Sequence, residues 1–282
     1  MGRMDGKVAF ITGAARGQGR RHAERLAQEG ADIIAVDLCE DLDTIPYSSA
    51  TPDDLAETVR LVEHLDRRIV AHRADVRDLD GLRSAVADGL AQLGRIDVVC
   101  ANAGVANFAP ALELTEQQWD EVISIDLTGV WKTVRAAAPA VIEGGRGGSV
   151  ILTSSIAGLM AYPNLAAYVA AKHGVVGLMR ALATELAPHR IRVNSIHPSN
   201  VDTPMIDNDL VRGFFTGQER ATRDQAAQGM QSINALPLPW AEVDDISNAV
   251  VYLASDESRY VTGSMMTIDA GATLPFKLPH VS

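Results

Sequence analysis

Tyr168 and Lys172 are four positions apart in the sequence, a spacing that suits proton transfer by a pair of side chains. On a helix, residues four apart lie on one face, about a turn from each other. A free phenol has a pKa of about 10 and is a poor base at neutral pH, but a neighbouring ammonium group stabilises the phenolate. Lowering that pKa by about two to three units takes roughly 3–4 kcal/mol, which a partly desolvated site can supply. The same spacing is common on ordinary amphipathic helices, so the rest of the chain has to decide between the two interpretations.

A glycine-rich segment near the amino terminus has the pattern of a nucleotide-binding turn. It runs from Thr12 to Gly19 and joins a predicted strand to a predicted helix. Glycines there permit a tight turn and the close approach of a pyrophosphate, and the backbone N–H groups at a helix start favour an anion. The cofactor contacts predicted in this segment are Gly13, Ala15, Arg16, Gly17, Gln18 and Gly19.

Asp37 indicates which dinucleotide the chain prefers. It ends the second predicted strand, 18 residues after Gly19, where an acidic residue can accept hydrogen bonds from the adenosine ribose. Its charge would repel the 2′-phosphate of NADP. Arg16 is a competing signal because it could reach a phosphate, but no Lys or Arg follows Asp37 directly. The sequence therefore predicts NAD as the cofactor, with Leu38 beside Asp37 in the site.

The composition argues against several other classes of partner. The chain has 282 residues and a net charge of −11, with 36 acidic and 25 basic residues, which argues against nucleic acid or an anionic membrane as the main partner. Its two cysteines, Cys39 and Cys100, give no disulfide framework and suit a reducing compartment. No signal sequence or membrane-spanning run is recognisable, and no metal site is predicted. We therefore expect a soluble, cytoplasmic protein.

Short apolar runs alternate with longer helical patterns along nearly the whole chain. Near-continuous apolar strands separated by helices are typical of a parallel sheet covered on both faces. The predicted strands cover residues 7–12, 31–37, 68–75, 96–101, 147–154, 191–196 and 265–269. Helices are predicted from the glycine turn to 29, from an N-cap at 51, over 79–93 and 115–143, through Tyr168 to 186, and over 243–254. No linker divides the chain, so residues 1–282 are predicted to form one α/β domain with a doubly wound, seven-stranded parallel sheet.

Polar residues follow most of the predicted strands. Ligands of such a sheet bind at the carboxyl ends of the strands, where the strand order reverses. The residues at or just after predicted strand ends are Thr12, Asp37, Asp75, Asn102, Ser155 and His197. Their clustering is independent support for a site at this edge of the sheet.

Six sequence motifs, taken in their order along the chain, resemble those of the short-chain dehydrogenase/reductase family and cover nearly the whole chain. The glycine turn and the Tyr-x-x-x-Lys pair are two of them, and Ser155 has the spacing of the family's catalytic serine, 13 residues before Tyr168. The remaining motif positions are Asp75 and Val76 at the adenine, Asn102, Ala103 and Gly104 after the fourth strand, and Pro198, Val201 and Thr203 at the nicotinamide. The resemblance implies a single-domain Rossmann fold and an NAD-dependent alcohol dehydrogenase or carbonyl reductase.

The resemblance also implies a role for each catalytic residue. Tyr168 would take the hydroxyl proton of an alcohol while a hydride passes to the nicotinamide. Lys172 would bind the nicotinamide ribose and lower the pKa of Tyr168, and Ser155 would hydrogen-bond the substrate oxygen. A base, an oxygen anchor and a positioned cofactor are also what the reaction requires physically.

The chain departs from the family pattern at two positions. Asp126 stands where the family usually has an asparagine that helps to hold a water near the lysine. An ionised carboxylate there would offset part of the charge that lowers the tyrosine pKa. We therefore expect an active enzyme with a more alkaline optimum than its Asp126→Asn variant. Ser199 replaces the usual glycine after Pro198, at a turn position that tolerates serine.

The segment between Asp37 and Asp75 is longer than is usual in the family and contains an inserted loop, residues 38–50. Together with the glycine turn and the start of the next helix, it resembles the carveol-dehydrogenase-like branch that is linked to the redox cofactor mycofactocin. That resemblance implies an NAD that is held tightly and reoxidised in place, with the loop as a lid. A surface insertion without a role is the alternative, since long surface loops are tolerated at little cost.

Residues 204–240 are the least regular part of the predicted structure and are expected to form a substrate-binding loop region. Its apolar side chains predict either a pocket for a hydrophobic secondary alcohol, terpenoid- or steroid-like, or simple packing of the loop onto the body. They are Met205, Ile206, Leu210, Phe214, Phe215, Met230, Leu236, Leu238 and Trp240.

Two further expectations concern assembly and function. The family resemblance implies a homotetramer. A catalytically weak or silent nucleotide-binding sensor or scaffold of the same fold is the competing function, because a fold does not by itself fix an activity. The intact set of Ser155, Tyr168 and Lys172 argues against that alternative.

Overall fold

The apolar runs of the sequence form the strands of one sheet. A computed structural model describes residues 2–278 and 280, and within them the seven predicted strands are all parallel, in the order β3-β2-β1-β4-β5-β6-β7. Their bounds are β1 Val8–Thr12, β2 Asp32–Asp37, β3 Ile69–Arg73, β4 Val98–Ala101, β5 Gly148–Thr153, β6 Ile191–Pro198 and β7 Met265–Ile268. The order reverses between β1 and β4, which makes that edge the expected ligand site.

Helices cover both faces of the sheet. Their bounds are α1 Gly17–Gln28, α2 Pro52–Glu63, α3 Leu79–Leu93, α4 Glu116–Ile123, α5 Val130–Glu143, α6 Ala166–Leu186, α7 Asp209–Thr216, α8 Arg223–Ser232 and α9 Val243–Ala254. Within the described residues, no helix is long and apolar enough to cross a lipid bilayer. The prediction of a doubly wound Rossmann sheet is confirmed.

The central strand β1 shows why both faces need helices. Val8 and Phe10 point into the core beneath α3, α5 and α6, whereas Ala9 and Ile11 point into the core beneath α1, α2 and α9. Side chains alternate between the two faces of a strand, and all four of these are almost completely buried. A strand that is apolar at every position therefore requires a layer on each side.

A π-helical turn, Ser124–Gly129, separates α4 from α5 in the region predicted as one helix. Such turns are rare, and they are frequently found at functional sites. Here the turn contains Asp126, whose side chain is fully buried. The helical pattern on either side gave no sign of the interruption.

The region 204–240 is more regular than its sequence suggested, since it contains α7 and α8. Both helices begin at side-chain caps: the Asn208 side chain accepts from the Val211 N–H, and Thr222 and Gln225 form a capping box. Capping residues satisfy the free N–H groups of a first turn and stabilise short helices. Helices of 8 and 10 residues carry too little apolar periodicity to be recognised with confidence from pattern alone.

Candidate active site

The glycine turn after β1 is shaped by close backbone approaches. Gly13 has a φ of +68°, and a Cβ on it would lie 2.8 Å from the Ala103 Cα. A Cβ on Gly19 would lie 1.9 Å from the Gly13 carbonyl oxygen. Side chains at these two positions would therefore close the turn. The absence of both side chains leaves a cradle of backbone at the start of α1, which suits a pyrophosphate.

A groove runs from this turn along the carboxyl ends of β2, β4 and the segment after β6. Among the residues that line it are Gly13, Arg16, Gly17, Gln18, Gly19, Asp37, Leu38, Asp75, Val76, Asn102, Ala103, Gly104 and Thr203. The structure thus brings most of the predicted cofactor contacts into this groove, whereas Tyr168, Lys172, Pro198 and Val201 line a cavity beside it. Ala15 is different: its side chain is fully buried, and its N–H donates to Asp37 Oδ2 at 2.9 Å.

Asp37 is fixed at the far end of this groove by backbone donors. Besides the Ala15 N–H, the Cys39 N–H donates to Asp37 Oδ1 at 3.1 Å. The carboxylate is therefore oriented before any ligand binds. Arg16, the competing signal for a phosphate, donates instead to the carbonyl oxygens of Ser49, at 3.0 Å, and Ser48.

The inserted loop 38–50 lies over the groove and is attached on both sides of it. The Arg16 contacts attach it to the glycine turn. On the other side, the Tyr47 hydroxyl accepts a hydrogen bond of 2.9 Å from the Ala106 N–H, just beyond β4. The Thr44 hydroxyl donates to Glu121 on α4. Sequence motifs gave no indication of Tyr47, because its partner is a backbone group in a distant segment.

Lys172 occupies the centre of the catalytic cluster and is 2% exposed. Its Nζ lies 2.9 Å from Asp126 Oδ2, donates to the Thr153 carbonyl at 3.1 Å, and lies 5.3 Å from the centre of the Tyr168 ring. The helical spacing of Tyr168 and Lys172 on α6 thus places the ammonium beside the phenol, as the sequence predicted.

Asp126, which pairs with this lysine, is also held by a backbone hydrogen bond. Its Oδ1 accepts from the Val105 N–H at 2.8 Å. A side chain at the neighbouring Gly104 would displace the pair, since a Cβ there would lie 2.9 Å from Asp126 Oδ2 and 3.3 Å from Lys172 Nζ. Backbone from the end of β4 therefore packs directly against the ion pair.

Ser155 follows β5, and its backbone is anchored from β6. Its Oγ accepts from the Ala157 N–H at 3.1 Å and lies 3.5 Å from the Pro198 carbonyl. His197 Nδ1 lies 2.7 Å from the Ser155 carbonyl oxygen, and its Nε2 lies 2.8 Å from the Ser195 hydroxyl. With Nδ1 protonated, the imidazole donates to Ser155 and accepts from Ser195, a role that strand-end position alone did not reveal.

Burial and the neighbouring charges have opposite effects on the pKa values of the groups in this cluster. Burial raises the pKa of the Tyr168 phenol, the Lys172 ammonium lowers it, and the Asp126 carboxylate raises it again. Burial also raises the pKa of Asp126, against the effect of Lys172. Burial lowers the pKa of Lys172, but the charges of Asp126 and Tyr168 and the hydrogen bond to Asp126 together outweigh burial, so the pKa is raised. The carboxylate therefore keeps the lysine protonated but reduces its influence on the phenol.

A second cavity opens beside the groove, with Ser155 and Tyr168 in its wall. Its apolar lining includes Phe108, Ile156, Leu165, Met205, Ile206, Val211, Phe214, Phe215 and Ile233. Met230 and Trp240 instead pack with Val211 in the small core under α7 and α8. Leu210, Leu236 and Leu238 are exposed. The apolar residues of region 204–240 thus serve both of the uses that the sequence left open.

His173 and several unpredicted residues complete the description. His173 is exposed and its Nδ1 lies 2.9 Å from the Val169 carbonyl, on a different face from Lys172. Phe108, Tyr162 and Asn200 line the second cavity, although no motif identified them. They come from loops after different strands, and only the fold brings those loops together.

Known proteins match this chain over a region that includes the whole of the site. The family model described as enoyl-(acyl carrier protein) reductase matches residues 13–273. A (−)-trans-carveol dehydrogenase of Rhodococcus erythropolis is 50% identical over 277 residues, 97% of this chain and 100% of that protein. Among solved structures, carveol dehydrogenase from Mycobacterium avium in complex with NAD is 55% identical with a TM-score of 0.96, covering 97% of this chain and 100% of that one. A short-chain dehydrogenase from Mycobacterium paratuberculosis bound to NAD is 52% identical with a TM-score of 0.89, covering 96% and 99%.

Proposed function

The chain belongs to the short-chain dehydrogenase/reductase family, and from this premise we propose that it transfers a hydride between a hydrophobic secondary alcohol, or its ketone, and NAD, with Tyr168 as the acid–base residue. One observation carries the proposal: Ser155 and Tyr168 face a cavity that meets the groove of the glycine turn, with Lys172 buried behind the phenol. This arrangement provides a base, an oxygen anchor and a cofactor groove in one place.

The groove fits NAD. Gly13 and Gly19 leave a backbone cradle for the pyrophosphate, and the oriented carboxylate of Asp37 suits ribose hydroxyls and repels a 2′-phosphate. Gln18 has a buried side-chain oxygen without a hydrogen-bond partner among the described residues, where groove and cavity meet. NAD is the cofactor named for two solved relatives that are 55% and 52% identical to this chain. When bound, it supplies the nicotinamide ring that accepts or gives the hydride.

In the oxidation direction, the phenolate of Tyr168 accepts the proton of the substrate hydroxyl as the C–H hydride leaves for the cofactor. Ser155 Oγ donates a hydrogen bond to the same oxygen and holds it in place. The Lys172 ammonium stabilises the phenolate through space, and Asp126 fixes that ammonium. The products are the ketone, the reduced cofactor and one proton on Tyr168, which passes to solvent before the next cycle.

A turnover assay tests this function. We expect the protein as isolated to reduce an artificial electron acceptor such as dichlorophenolindophenol when secondary alcohols are supplied. Tyr168→Phe should lower kcat by at least about a hundredfold, the contribution typical of a general base. Tyr252→Phe is the matched control, because Tyr252 lies on α9 and lines neither the cavity nor the groove. Full activity of Tyr168→Phe would contradict the assignment of the base.

We also infer that the loop 38–50 retains NAD and that mycofactocin reoxidises it in place. The contacts of Tyr47 and Arg16 on opposite sides of the groove support retention. The support for mycofactocin is resemblance to the carveol-dehydrogenase-like branch. NAD should then copurify and resist dialysis, and deletion of residues 40–50 should release it. Cofactor-free protein from an ordinary preparation would count heavily against this inference.

The substrate class follows from the cavity and from one relative. The Rhodococcus relative is named for (−)-trans-carveol, and the cavity here is lined mainly by aromatic and aliphatic side chains. Phe108 and Phe214 have ring centres 6.0 Å apart, and those of Phe214 and Phe215 are 5.3 Å apart. We therefore propose a terpenoid- or steroid-like alcohol as the substrate of this chain, because such a wall would bind it by burial of apolar surface.

A homotetramer is also proposed. Large apolar side chains are exposed on α4 and α5, at Trp119 and Trp131, and around β7, at Tyr260 and Met265. Exposed apolar residues in groups are typical of subunit contacts. Light scattering during size-exclusion chromatography would measure the mass, and a monomer of 30.1 kDa would refute the proposal.

A nucleotide-binding sensor or scaffold is the second candidate. The observation that favours it is the neutralisation of Lys172 by Asp126, which weakens the stabilisation of the phenolate. Bound NAD without turnover of any secondary alcohol would support this reading over the enzyme.

A further inference from the structure

Tyr47 belongs to the inserted loop, and its partly buried side chain lines the cofactor groove. Its hydroxyl oxygen accepts a hydrogen bond of 2.9 Å from the Ala106 N–H. A phenol is a donor as well as an acceptor, but among the described residues no group accepts the proton of the Tyr47 hydroxyl. A ligand that fills the groove must therefore supply an acceptor or leave this donor unpaired, which is costly.

The contact with Ala106 places the Tyr47 hydroxyl at the catalytic end of the groove. The segment after β4 leads from the glycine turn to the catalytic cluster, since Ala103 lies against the glycine turn and Gly104 against Lys172. Ala106 comes two residues further along this segment and contributes to the wall of the substrate cavity. The hydroxyl bonded to it is therefore beyond the glycine turn, on the side of Lys172.

Strand order separates Tyr47 from the adenosine end of the groove. Asp37, which suits the adenosine ribose, ends β2; the glycine turn follows β1, and the segment that holds the Tyr47 hydroxyl follows β4. Neighbouring strands are about 4.8 Å apart, so β2 and β4 are about 10 Å apart across β1. The half of a dinucleotide that lies near Tyr47 is thus the nicotinamide half, which has to meet the substrate beside Tyr168.

The charges of the catalytic cluster act on Tyr47. Burial raises the pKa of its phenol, the hydrogen bond from the Ala106 N–H lowers it, and the charges of Asp126 and Tyr168 raise it again. Electrostatic effects weaken with distance, so this influence agrees with a position close to the cluster. Because its pKa is raised from the ordinary value of about 10, the hydroxyl keeps its proton at neutral pH and can donate it.

The loop crosses the groove at this place. Arg16 of the glycine turn donates to the carbonyl oxygens of Ser48 and Ser49, whereas Tyr47 reaches the opposite wall at Ala106. Consecutive residues of the loop are therefore attached to the two walls, and the Tyr47 side chain is held over the groove from both sides. A donor held in this way loses little further freedom when it binds a ligand.

We propose that Tyr47 is a cofactor-binding residue, whose hydroxyl accepts from the Ala106 N–H and donates to an oxygen of the nicotinamide riboside half of NAD. This inference rests on the proposed function, because it concerns the cofactor of the same site. The inserted loop then does more than cover the groove, since it adds a hydrogen bond to the half of the cofactor that reacts. One side chain thereby links retention of the cofactor to the placement of its nicotinamide.

Three ligands of increasing length test the proposal on the full chain freed of nucleotide by charcoal. ADP carries the adenosine and both phosphates, ADP-ribose adds the second ribose, and NAD adds the nicotinamide. Dissociation constants are measured by isothermal titration calorimetry. Tyr47→Phe should weaken binding of NAD about tenfold, as for loss of one hydrogen bond, and leave binding of ADP unchanged. Weaker binding of ADP-ribose as well would place the acceptor on the ribose, and unchanged binding would place it on the nicotinamide; either result supports the proposal.

Thr44→Val is the matched control. Thr44 attaches the same loop through Glu121 and does not line the groove, so its loss should change the affinity for all three ligands by one common factor. Equal weakening of ADP and NAD in Tyr47→Phe would show that Tyr47 only attaches the loop. Unchanged binding of NAD in Tyr47→Phe would show that the hydroxyl does not contact the cofactor. Each of these two results would overturn the proposal.

The protein as isolated provides a second measurement if charcoal does not remove the nucleotide. Release of NAD is then followed during dialysis, and Tyr47→Phe should release it about tenfold faster than Thr44→Val, because only the former loses a bond to the cofactor. Equal rates would overturn the proposal. A wild type that binds none of the three ligands would contradict the proposed function, and this inference would fail with it. A wild type that binds NAD no more tightly than Tyr47→Phe does would contradict this inference alone.

Discussion

Replacing Asp126 by asparagine should move the pH profile of the enzyme toward lower pH. Asparagine keeps the shape of the side chain and an oxygen that can accept from the Val105 N–H, but it removes the negative charge beside Lys172. As long as Lys172 stays protonated without this carboxylate, its ammonium acts on the Tyr168 phenol unopposed. The phenolate is favoured, so the pKa of Tyr168 falls.

The size of the shift follows from the distances in the cluster. Asp126 Oδ2 lies 2.9 Å from Lys172 Nζ, which lies 5.3 Å from the centre of the Tyr168 ring. The carboxylate is therefore within about 8 Å of the ring. A unit charge at that distance is worth about 2 kcal/mol at an effective dielectric constant of about 20, and about 0.5 kcal/mol in water. These limits bracket a shift of about one pKa unit.

The assay is kcat/KM for oxidation of one secondary alcohol by wild type and Asp126→Asn, measured from about pH 6 to pH 10. The acid limb should move down by about one unit in the variant. Asp97→Asn is the matched control, since Asp97 is also buried and paired, with Arg95 at 2.7 Å, at the opposite end of β4. It should lower stability without moving the profile. Coincident profiles for wild type and Asp126→Asn, or an alkaline shift, would refute the reasoning.

Three other perturbations have defined outcomes. Arg16→Met should speed the loss of NAD during dialysis. The control Arg60→Met, which removes a surface ion pair with Glu57, should not. Equal retention of NAD by the two variants would show that Arg16 does not hold the loop over the cofactor. Gly104→Ala should lower kcat/KM at least about tenfold by displacing the ion pair, while Gly177→Ala on α6, with open space around it, should leave activity intact. His22 is fully buried, and burial lowers its pKa to about 3. As the pH drops, the histidine is therefore protonated in the unfolded chain before it is protonated in the folded protein. The free energy of unfolding then falls between about pH 6.5 and pH 3. Between pH 7 and pH 5 the wild type should lose about 2 kcal/mol more than His22→Asn by urea unfolding, and an equal loss would show that His22 is not the cause.

The sheet and its motifs could be predicted because their signals are local. Most strands contain a short apolar run, and a central strand such as Val8–Thr12 must be apolar on both faces because helices cover both. The N-caps at Thr51 and Thr115 identified two helix starts, and both form capping boxes in the structure. The catalytic pair was recognisable because four residues on one helix fix the separation of two side chains without reference to the rest of the fold.

The remaining features depend on contacts between distant segments. Tyr47 meets the Ala106 backbone, 59 residues away, and no local pattern encodes that approach. No local pattern marks the extra residue of the π turn at Ser124–Gly129, which places Asp126 within reach of Lys172 on a distant helix. Asn200 lacked a motif because its environment is a wall built from several loops. These are tertiary effects, which local sequence reasoning does not capture.

The attachment of the loop 38–50 to both sides of the groove has a consequence for residence time. Opening the groove for exchange requires breaking the contacts of Arg16, Thr44 and Tyr47 together. At about 1 kcal/mol net for each, the opened state would be about a hundredfold rarer than for a free loop. If the loop retains NAD as proposed, the cofactor would leave slowly compared with a catalytic cycle. The redox state of the enzyme would then follow the supply of its electron acceptor rather than the NAD pool of the cell.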